Sequence, residues 1–574
     1  MNDYGLNHEQ WESINLKGPC SFTLASAGSG KTKCLTSKVR HIIDSKIGTP
    51  ETILAITFTI KAANEMKERL KKHVDVSKMQ ISTMHSMCVK IIRAFIHLTY
   101  LKMPFTIYDT SDQLSIVKTI VKARNLPGNP FDYLSEIGKS KSLGIEPEDQ
   151  TFLIIYKQYQ EILKQNNAAD FDDLLLLAFE CLKNEACKNY FSNKWQHILI
   201  DEFQDTSLLQ LNLIMSLYTD KTKTIYATGD PNQSIYKFRN ARPENITEFI
   251  EKYKANTINL TYNYRSCQEV IDIANNFQQF GEPMVPKTSL KGKVSVASFG
   301  SYEDEAEQIA QAIMKLGNYG STAVIYRVNG RSLLFEQTFS RYRIPYKVVN
   351  DRPFFQRKVV KDLLSALKSA NNLEDRESLS RIINHPKRGF GDAKKEKLLM
   401  QGRAYAESIA EEMPQIKDFL GLLGDMKGLP PSAALDEYLN RSGYVSSIEK
   451  DTDRYLIESL KDAVANYDSV EELILASSFL EKDNDGENAV SLITAHGSKG
   501  LEFDNVFVVG VEEGLWPHKY SDDLDEESRL FYVSLSRAKI CLNISYCASR
   551  LFKGSLISVS PSYLFEQTKK YLQK

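Results

Sequence analysis

Short apolar runs alternate with longer amphipathic stretches along much of the chain, and this pattern predicts strands joined by helices. The apolar run Ser21–Leu24 predicts a buried strand, and the periodicity of Lys33–Ile43 predicts a helix after it. A second strand is predicted over Ile53–Phe58, then a helix over Lys61–His73 and a short strand near Ile81. Strands that alternate with helices are typical of a parallel α/β sheet.

Two mostly helical segments interrupt this pattern. Between them the strand pattern returns at 197–200, 224–228 and 322–326, with a helix at 332–341, and it resumes at 489–494 and 505–510 after a predicted linker at 483–487. We therefore expect a first α/β domain from 1–87 and 189–285, a helical insertion at 88–188, a second α/β domain from 286–385 and 488–574, and a short helical insertion at 386–487.

Composition narrows the class of protein. Hydrophobic residues make up 42% and charged residues 25% of the 574 residues, which is ordinary for globular domains. We expect no membrane span, because no apolar run is long enough, and no signal peptide. The eight cysteines form no CxxC pair, which favours a reducing cytoplasm over a zinc or disulfide framework. Because the formal net charge is −1, a polyanionic partner must be bound by local basic surfaces.

The residues from Ala25 to Thr32 predict a phosphate-binding loop, because they follow the first strand and precede the first helix. Glycines let backbone N–H groups converge on an anion, and the helix N-terminus adds a favourable dipole. The side chain of Lys31 is expected at the β- and γ-phosphates, and Thr32 is expected to ligate Mg²⁺. The residues whose backbone would cradle the phosphates are Ala27, Gly28, Ser29 and Gly30. The alternative is a chance glycine turn, and Ala25 stands where the pattern usually has glycine.

Two acidic residues follow the predicted strand at 197–200. Asp201 is expected to hold Mg²⁺, and Glu202 is expected to accept a proton from the attacking water. Taken alone, the same residues fit a solvated acidic turn. Their position at a strand end, in a sheet that begins with a phosphate loop, favours the catalytic interpretation.

The segment after the strand at 224–228 combines an amide with interleaved aromatic and basic residues. Gln233 is expected to sense a γ-phosphate or to place the water molecule. Tyr236, Phe238 and Arg239 fit base stacking and phosphate contact on single-stranded nucleic acid. The alternative is that Tyr236 and Phe238 are ordinary core residues.

Taken together and in order, these motifs resemble those of superfamily 1 helicases of the UvrD/PcrA/Rep type. The resemblance covers nearly the whole chain and adds the segments Leu6–Gln10, Thr57–Ala63, Ser82–Ser86, Phe171–Leu174, Ala323–Arg327, Thr494–Phe503 and Glu526–Ala538. It implies an α/β fold with two RecA-like parallel-sheet motor domains, each carrying a mostly helical inserted domain.

The resemblance also implies an ATP and Mg²⁺ site between the two motor domains. Gln10 is expected to hydrogen-bond adenine and Tyr326 to stack on it. Glu502 is expected near the ribose, and Lys33 stands where relatives often carry an arginine over the other face of adenine. Arg327 and Arg537 are expected to reach the γ-phosphate, since a forked guanidinium suits charge spread over three oxygens. For Arg537 the alternative is a surface salt bridge.

For nucleic acid, the resemblance implies contacts from eleven side chains. They are Phe58, Thr83, His85, Tyr236, Phe238, Arg239, Asn263, Tyr264, Arg265, Thr494 and His496. Phe238 stands where relatives commonly carry tryptophan, and the two histidines are alternatively structural hydrogen-bonding groups.

The expected function is an ATP-dependent 3′ to 5′ single-stranded DNA translocase and DNA helicase in the cytoplasm, with little sequence preference. The alternative is a nucleotide-switched motor or binding subunit of a larger repair, nuclease or phage-defence complex that unwinds little DNA by itself. RNA is a third possibility for the substrate, because stacking does not distinguish sugars. The short insertion at 386–487 leaves open whether the isolated chain separates strands, and a protein partner is possible.

Overall fold

The computed structural model of the chain describes residues 4–349, 354, 357–448, 451–465, 467, 469–470, 473, 488–552 and 555–573. They divide into two compact units, the first ending at Leu290 and the second beginning at Lys291. Sequence analysis placed this division a few residues earlier, between 285 and 286. Each unit contains a six-stranded parallel sheet, which confirms the predicted α/β class with two parallel-sheet domains.

The sheet of unit 1 has the strand order β3-β2-β6-β7-β1-β8, and all of its pairs are parallel. The strands of unit 1 are β1 (Cys20–Ala25), β2 (Ile53–Thr57), β3 (Gln80–Thr83), β4 (Thr106–Tyr108), β5 (Ala168–Asp170), β6 (His197–Ile200), β7 (Thr224–Gly229), β8 (Asn256–Leu260), β9 (Tyr262–Asn263) and β10 (Val285–Pro286).

Helices cover both faces of this sheet, and the strands of its centre are therefore apolar throughout: every residue of β2 and of β6 is buried. The helices are α1 (His8–Ile14), α2 (Lys31–Asp44), α3 (Ile60–Lys71), α4 (Met84–Ala94), α5 (Thr110–Ala123), α6 (Pro130–Leu143), α7 (Gln150–Gln165), α8 (Phe171–Lys183), α9 (Glu185–Lys194), α10 (Leu208–Ser216), α11 (Glu244–Tyr253) and α12 (Gln268–Asn275).

The helical insertion of unit 1 is organised around a buried lysine. The ammonium of Lys141 lies 2.5 Å from a carboxylate oxygen of Asp170 and 2.8 Å from one of Asp173, and all three side chains are almost completely buried. Tyr159 donates a further hydrogen bond to Asp170, and Gln160 donates one to Asp173. Burial alone would lower the pKa of Lys141, but the two carboxylates raise it, so the lysine stays charged. These contacts join α6 and α7 to β5 and the start of α8.

Unit 2 repeats the architecture with the strand order β11-β16-β15-β12-β14-β13, again all parallel. Its strands are β11 (Lys293–Phe299), β12 (Thr322–Tyr326), β13 (Tyr346–Val348), β14 (Val490–Thr494), β15 (Phe503–Val508), β16 (Ala538–Cys547), β17 (Ser549–Phe552) and β18 (Ser555–Ser558). Its described helices are α13 (Tyr302–Leu316), α14 (Ser332–Arg341), α15 (Lys358–Asn371), α16 (Arg376–Ile382), α17 (Asp392–Gln401), α18 (Arg403–Glu412), α19 (Pro414–Met426), α20 (Pro431–Arg441), α21 (Asp451–Val464), α22 (Leu524–Leu535) and α23 (Tyr563–Leu572).

The helical part of unit 2 begins earlier than residue 386, where sequence analysis placed it. One hydrophobic cluster runs from α15 through α21, so α15 and α16 pack with the helices that follow them. Inside this cluster the guanidinium of Arg388 lies 4.2 Å from the ring centre of Phe419 and donates to several backbone carbonyls. The linker expected at 483–487 lies outside the described residues.

In the part of the chain that the structure describes, no helix combines the length and the apolar character that a membrane crossing needs.

The buried lysine of the insertion gives a test of this packing. Replacing Lys141 with Met leaves two buried carboxylates without their counter-ion, and we expect the insertion to lose about 3–5 kcal/mol of stability. The measurement is urea denaturation combined with hydrogen exchange of residues 106–183. Lys139→Met is the matched control, because its ion pair with Glu136 is exposed and 3.8 Å long. An equal loss in both variants would contradict the buried network as the source of stability.

Candidate functional site

Several of the segments singled out in the N-terminal half are loops that follow strands of the first sheet. The loop Ser26–Gly30 follows β1, Phe58 follows β2, and the segments from Asp201 and Asp230 follow β6 and β7. Because all strands of this sheet are parallel, these loops leave from one edge. The predicted chemistry is therefore gathered on the carboxyl edge of unit 1.

The loop after β1 has the backbone of an anion cradle. Gly28 and Gly30 have φ angles of 71° and 89°, which favour glycine. A Cβ on Gly28 would lie 2.8–2.9 Å from atoms of Asn263 and Arg265, and one on Gly30 would lie 2.8 Å from the side-chain nitrogen of Gln10. The first N–H groups of α2 open onto this loop, and Lys31 is the first residue of that helix. This geometry fits the phosphates of a nucleotide.

The predicted base and the loop lysine are neighbours. The ammonium of Lys31 lies 3.4 Å from a carboxylate oxygen of Glu202, and both side chains are largely shielded from solvent. Glu202 has φ 52° and ψ 45°, the left-handed region, which is uncommon for a residue with a side chain. The same carboxylate accepts a short hydrogen bond from Gln204. Sequence analysis gave Gln204 no role, although it lies in the same acidic segment.

Asp201 is buried at the end of β6. One of its carboxylate oxygens accepts from the hydroxyl of Thr228 at 3.0 Å and from the backbone N–H of Glu202 at 3.0 Å. Burial, and then the neighbouring carboxylate of Glu202, raise the pKa of Asp201 to about 6. A buried oxygen ligand of this kind, near the start of α2 where Thr32 lies, suits a hard divalent cation such as Mg²⁺.

The turn after β7 is held by its own side chains. Asp230 accepts from the backbone N–H of Asn232 at 3.0 Å and from the amide of Gln233 at 2.7 Å. Asn232 in turn accepts from the backbone of Gln279 and Phe280. Gln233 is thus buried in the turn and tied to Asp230, beside the acidic segment rather than in solvent.

The segment after β8 lies against the phosphate-type loop, not with the exposed aromatic residues. Asn263 donates to the carbonyl of Ala27 at 2.7 Å and accepts from the backbone N–H groups of Arg265 and Ser266. The backbone N–H of Tyr264 donates to the carbonyl of Gly28 at 2.9 Å. Because Asn263 is 2% exposed and its amide bonds to the protein, its surroundings favour a role in holding the loop over the predicted contact with nucleic acid.

Tyr264 and Gln10 lie on the same side of the loop. The hydroxyl of Tyr264 accepts from the amide of Asn7 at 2.5 Å, and Asn7 caps α1 together with Gln10. The side-chain nitrogen of Gln10 donates to the carbonyl of Ser29 at 2.8 Å. Tyr264 is 46% exposed, so it offers ring surface beside the loop. Lys33 donates to the carbonyl of Gly5 at 2.5 Å, at the same end of α2.

Tyr326 does not fit the role that the resemblance implied. It is the last residue of β12, 1% exposed, and it packs in the hydrophobic core of unit 2 with Val324 and Phe339. This burial contradicts the predicted stacking on adenine, because a base stacks only on an accessible ring face.

The arginines expected at the γ-phosphate have partners within unit 2. Arg327 makes a two-pronged ion pair with the buried carboxylate of Glu527, at 2.6 Å and 3.0 Å. Arg537 is 1% exposed and donates to the carbonyls of Val533 and Leu501. A contact between either guanidinium and a phosphate requires these hydrogen bonds to be exchanged. Glu502 pairs with Lys539 at 2.8 Å.

Three of the aromatic residues predicted to contact nucleic acid lie together on the surface of unit 1 and form what we call the aromatic surface. We define it as Phe58, Tyr236 and Phe238. The rings of Phe58 and Tyr236 are stacked, with centroids 5.2 Å apart and planes 14° apart, and Phe238 meets Tyr236 edge-on. Phe238 is 65% exposed, which is inconsistent with an ordinary core residue. The side chain of Arg239 lies outside the described residues.

Other predicted nucleic-acid residues have structural partners. Thr83 caps α4 by accepting from the backbone of Ser86. His85 meets the exposed ring of Phe171 edge-on, with centroids 5.6 Å apart, and burial lowers its pKa. In unit 2, Thr494 accepts from the N–H of Gly497 in the turn that also contains His496.

Comparison with known proteins matches almost the whole chain. Residues 6–254 match the UvrD/REP helicase N-terminal domain, and residues 258–420 and 445–549 match the UvrD-like helicase C-terminal domain. The chain is 34% identical to the ATP-dependent DNA helicase PcrA of Staphylococcus epidermidis, over 98% of this chain and 86% of the relative. The PcrA helicase of Staphylococcus aureus matches with the same identity and coverage.

The position of Asn263 gives a test of the loop geometry. In Asn263→Ala the buried carbonyl of Ala27 loses its partner, and we expect binding of a fluorescent ATP analogue to weaken by about 1–3 kcal/mol. Affinity for a single-stranded oligonucleotide without nucleotide should not change, and fluorescence anisotropy measures both. Asn256→Ala is the control, because its amide bonds the carbonyl of Lys17 at the far end of β8. A loss of oligonucleotide affinity alone would contradict this assignment.

Proposed function

The chain belongs to the UvrD/REP family of ATP-dependent DNA helicases, and on this premise we propose that it moves in the 3′ to 5′ direction along single-stranded DNA by hydrolysing Mg²⁺-bound ATP. The observation that carries the proposal is the shared edge of the first sheet. The glycine loop, the Lys31–Glu202 pair and the aromatic surface all lie at the carboxyl ends of the strands of this sheet.

In the nucleotide site, the backbone N–H groups of the loop and the ammonium of Lys31 bind the phosphates. Asp201 and Thr32 would hold Mg²⁺, which supplies charge neutralisation at the phosphate oxygens. Glu202 holds the water molecule and accepts its proton. Its position next to Lys31 keeps the carboxylate directed at the loop. Gln233, which is bonded to Asp230 in the turn after β7, is proposed to sense the γ-phosphate or to place the water molecule.

We propose Tyr264 as the ring that stacks on adenine, in place of Tyr326. Tyr264 is exposed, is bonded to the cap of α1 that contains Gln10, and has its backbone on the loop. Arg265 starts beside Gly28 and is proposed as a further phosphate ligand. Arg327 and Arg537 keep their proposed role at the γ-phosphate, by exchange of their present partners.

The aromatic surface is proposed to stack on DNA bases. Stacking and phosphate contacts are insensitive to sequence, so binding should show little sequence preference and should weaken with salt. Junctions of single- and double-stranded DNA are the proposed substrate, and a nuclease, repair or replication factor is the proposed class of partner. The proposed location is the cytoplasm.

The first test measures ATP hydrolysis and unwinding by the purified chain. We expect single-stranded DNA to stimulate hydrolysis, and a duplex with a 3′ tail to be unwound in preference to one with a 5′ tail. Glu202→Gln removes the base and should reduce stimulated turnover by about 10²–10⁴-fold. Glu65→Gln is the control, since Glu65 makes an exposed pair with Arg69 on α3.

Three results would contradict parts of this proposal separately. Normal stimulated turnover in Glu202→Gln would remove the base assignment. Preference for the 5′ tail would reverse the polarity. Stimulation without unwinding would indicate a translocase that needs a partner to separate strands.

The two tyrosines of unit 1 should have separable effects. Base stacking on an aromatic ring contributes about 1–3 kcal/mol, so Tyr264→Ala should raise the KM for ATP by about fivefold or more. Tyr236→Ala should instead weaken oligonucleotide binding by a similar factor with little effect on KM. Tyr264→Phe keeps the ring and serves as the control. If Tyr264→Ala left KM unchanged while weakening oligonucleotide binding, the original placement of Tyr264 in the nucleic-acid set would be restored.

A further inference from the structure

Gln204 joins the predicted base to the segment that carries part of the aromatic surface. Its side-chain nitrogen donates to the carboxylate of Glu202, and its side-chain oxygen accepts from the backbone N–H of Asp230 at 3.0 Å. The residue has no exposed surface. One amide group therefore contacts the catalytic segment after β6 at one end and the turn after β7 at the other.

The surroundings leave this amide little room to move by itself. A Cβ on Gly229 would lie 2.7 Å from the side-chain oxygen of Gln204, so only glycine fits there without displacement. The backbone carbonyl of Gln204 also accepts from the hydroxyl of Ser234 at 3.1 Å. Gln204 is thus bonded to the segment after β7 at two points, Asp230 and Ser234.

The same segment leads directly to the aromatic surface. Asp230 and its partners fix the turn up to Gln233, Ser234 follows, and Tyr236 stacks on Phe58 two residues later. A base that stacks on this surface and shifts Tyr236 therefore pulls on a short, internally bonded segment. Gln204 bonds this segment at its start, Asp230, and at Ser234, two residues before Tyr236.

We propose that Gln204 is a positioning residue that transmits occupancy of the aromatic surface to Glu202, so that DNA binding orients the base for hydrolysis. This inference rests on the proposed function, since it takes Glu202 as the base and the aromatic surface as the DNA contact. It adds the route by which the strand controls turnover.

The chemistry of the side chain explains why glutamine is needed. A primary amide donates from its nitrogen and accepts at its oxygen, so one glutamine side chain can make both bonds. Glutamate of the same size still accepts from Asp230 but replaces the N–H at Glu202 with a second carboxyl group, and methionine of similar shape makes neither bond. Comparing Gln204→Glu with Gln204→Met therefore separates the bond to Glu202 from the bond to Asp230.

The experiment measures kcat and KM for ATP with and without saturating oligo(dT), and oligo(dT) affinity by anisotropy, in wild type, Gln204→Met and Gln204→Glu. We expect the ratio of stimulated to basal kcat to fall by about tenfold in both variants, within the usual range of coupling between two sites. KM for ATP and oligo(dT) affinity should stay within about twofold of wild type, because Gln204 has no exposed surface with which to contact either ligand. Basal kcat is expected to fall less than stimulated kcat.

Asn245→Leu is the matched control. Asn245 is a buried amide that, like Gln204, holds the chain just after Glu202, but its amide nitrogen donates to Thr206 and not to Glu202. Its stimulation ratio should stay within about twofold of wild type. Thermal unfolding of each variant verifies that the fold is retained, and Gln204→Glu supplies the test if Gln204→Met does not fold.

The alternative outcomes are distinct. If Gln204→Glu keeps the wild-type ratio of stimulated to basal kcat, the proposal that Gln204 transmits DNA binding to Glu202 (the relay) is overturned. Equal loss of basal and stimulated kcat, or a matching loss in Asn245→Leu, shows a structural role and also overturns it. If oligo(dT) does not stimulate the wild-type chain, the proposed function fails and the relay with it, which differs from normal stimulation that Gln204 variants leave intact.

Discussion

The carbonyl groups of the glycine loop set the arrangement of unit 1. A loop that directs its N–H groups at phosphates must turn its carbonyls the other way, and buried carbonyls need hydrogen-bond partners. Gln10 bonds the carbonyl of Ser29, Asn263 bonds that of Ala27, and the N–H of Tyr264 bonds that of Gly28. The short helix α1 and the segment after β8, distant in sequence, are both held at the loop by this requirement.

The same requirement brings Tyr264 and Gln10 beside the loop, where we propose that the nucleobase lies. Glu9, next to Gln10, accepts from the backbone and hydroxyl of Thr261, so α1 and the segment after β8 are also joined to each other. The nucleotide site is therefore a closed set of hydrogen bonds among three pieces of chain. A substitution that removes one of these hydrogen bonds is therefore expected to alter the conformation of the loop.

Periodicity and motif order were sufficient for the α/β class and for most strands of the two large sheets, because these depend on local sequence, but they gave no prediction for β8, β11, β13 and β16. The strand Thr322–Tyr326 and the helix Ser332–Arg341 have the predicted bounds. The start of the helical part of unit 2 was missed. An amphipathic helix such as α15 would fit either the α/β domain or the helical insertion, and only its packing against α19 and α20 shows that it belongs to the insertion. Gln204 was missed because its two partners follow different strands, β6 and β7, that are distant in sequence.

The two tyrosine–arginine pairs at strand ends show what sequence cannot separate. Tyr264–Arg265 and Tyr326–Arg327 have the same side chains in the same order, and either fits stacking and phosphate contact. Their surroundings differ: β12 is a central strand whose last side chain enters a core, whereas Tyr264 follows a two-residue strand and is exposed. Arg327 is paired with the buried carboxylate of Glu527, whereas the Cβ of Arg265 lies next to Gly28 of the loop. Burial therefore supports our proposal that the nucleobase contacts the pair in unit 1, and it favours a structural role for the tyrosine of the pair in unit 2.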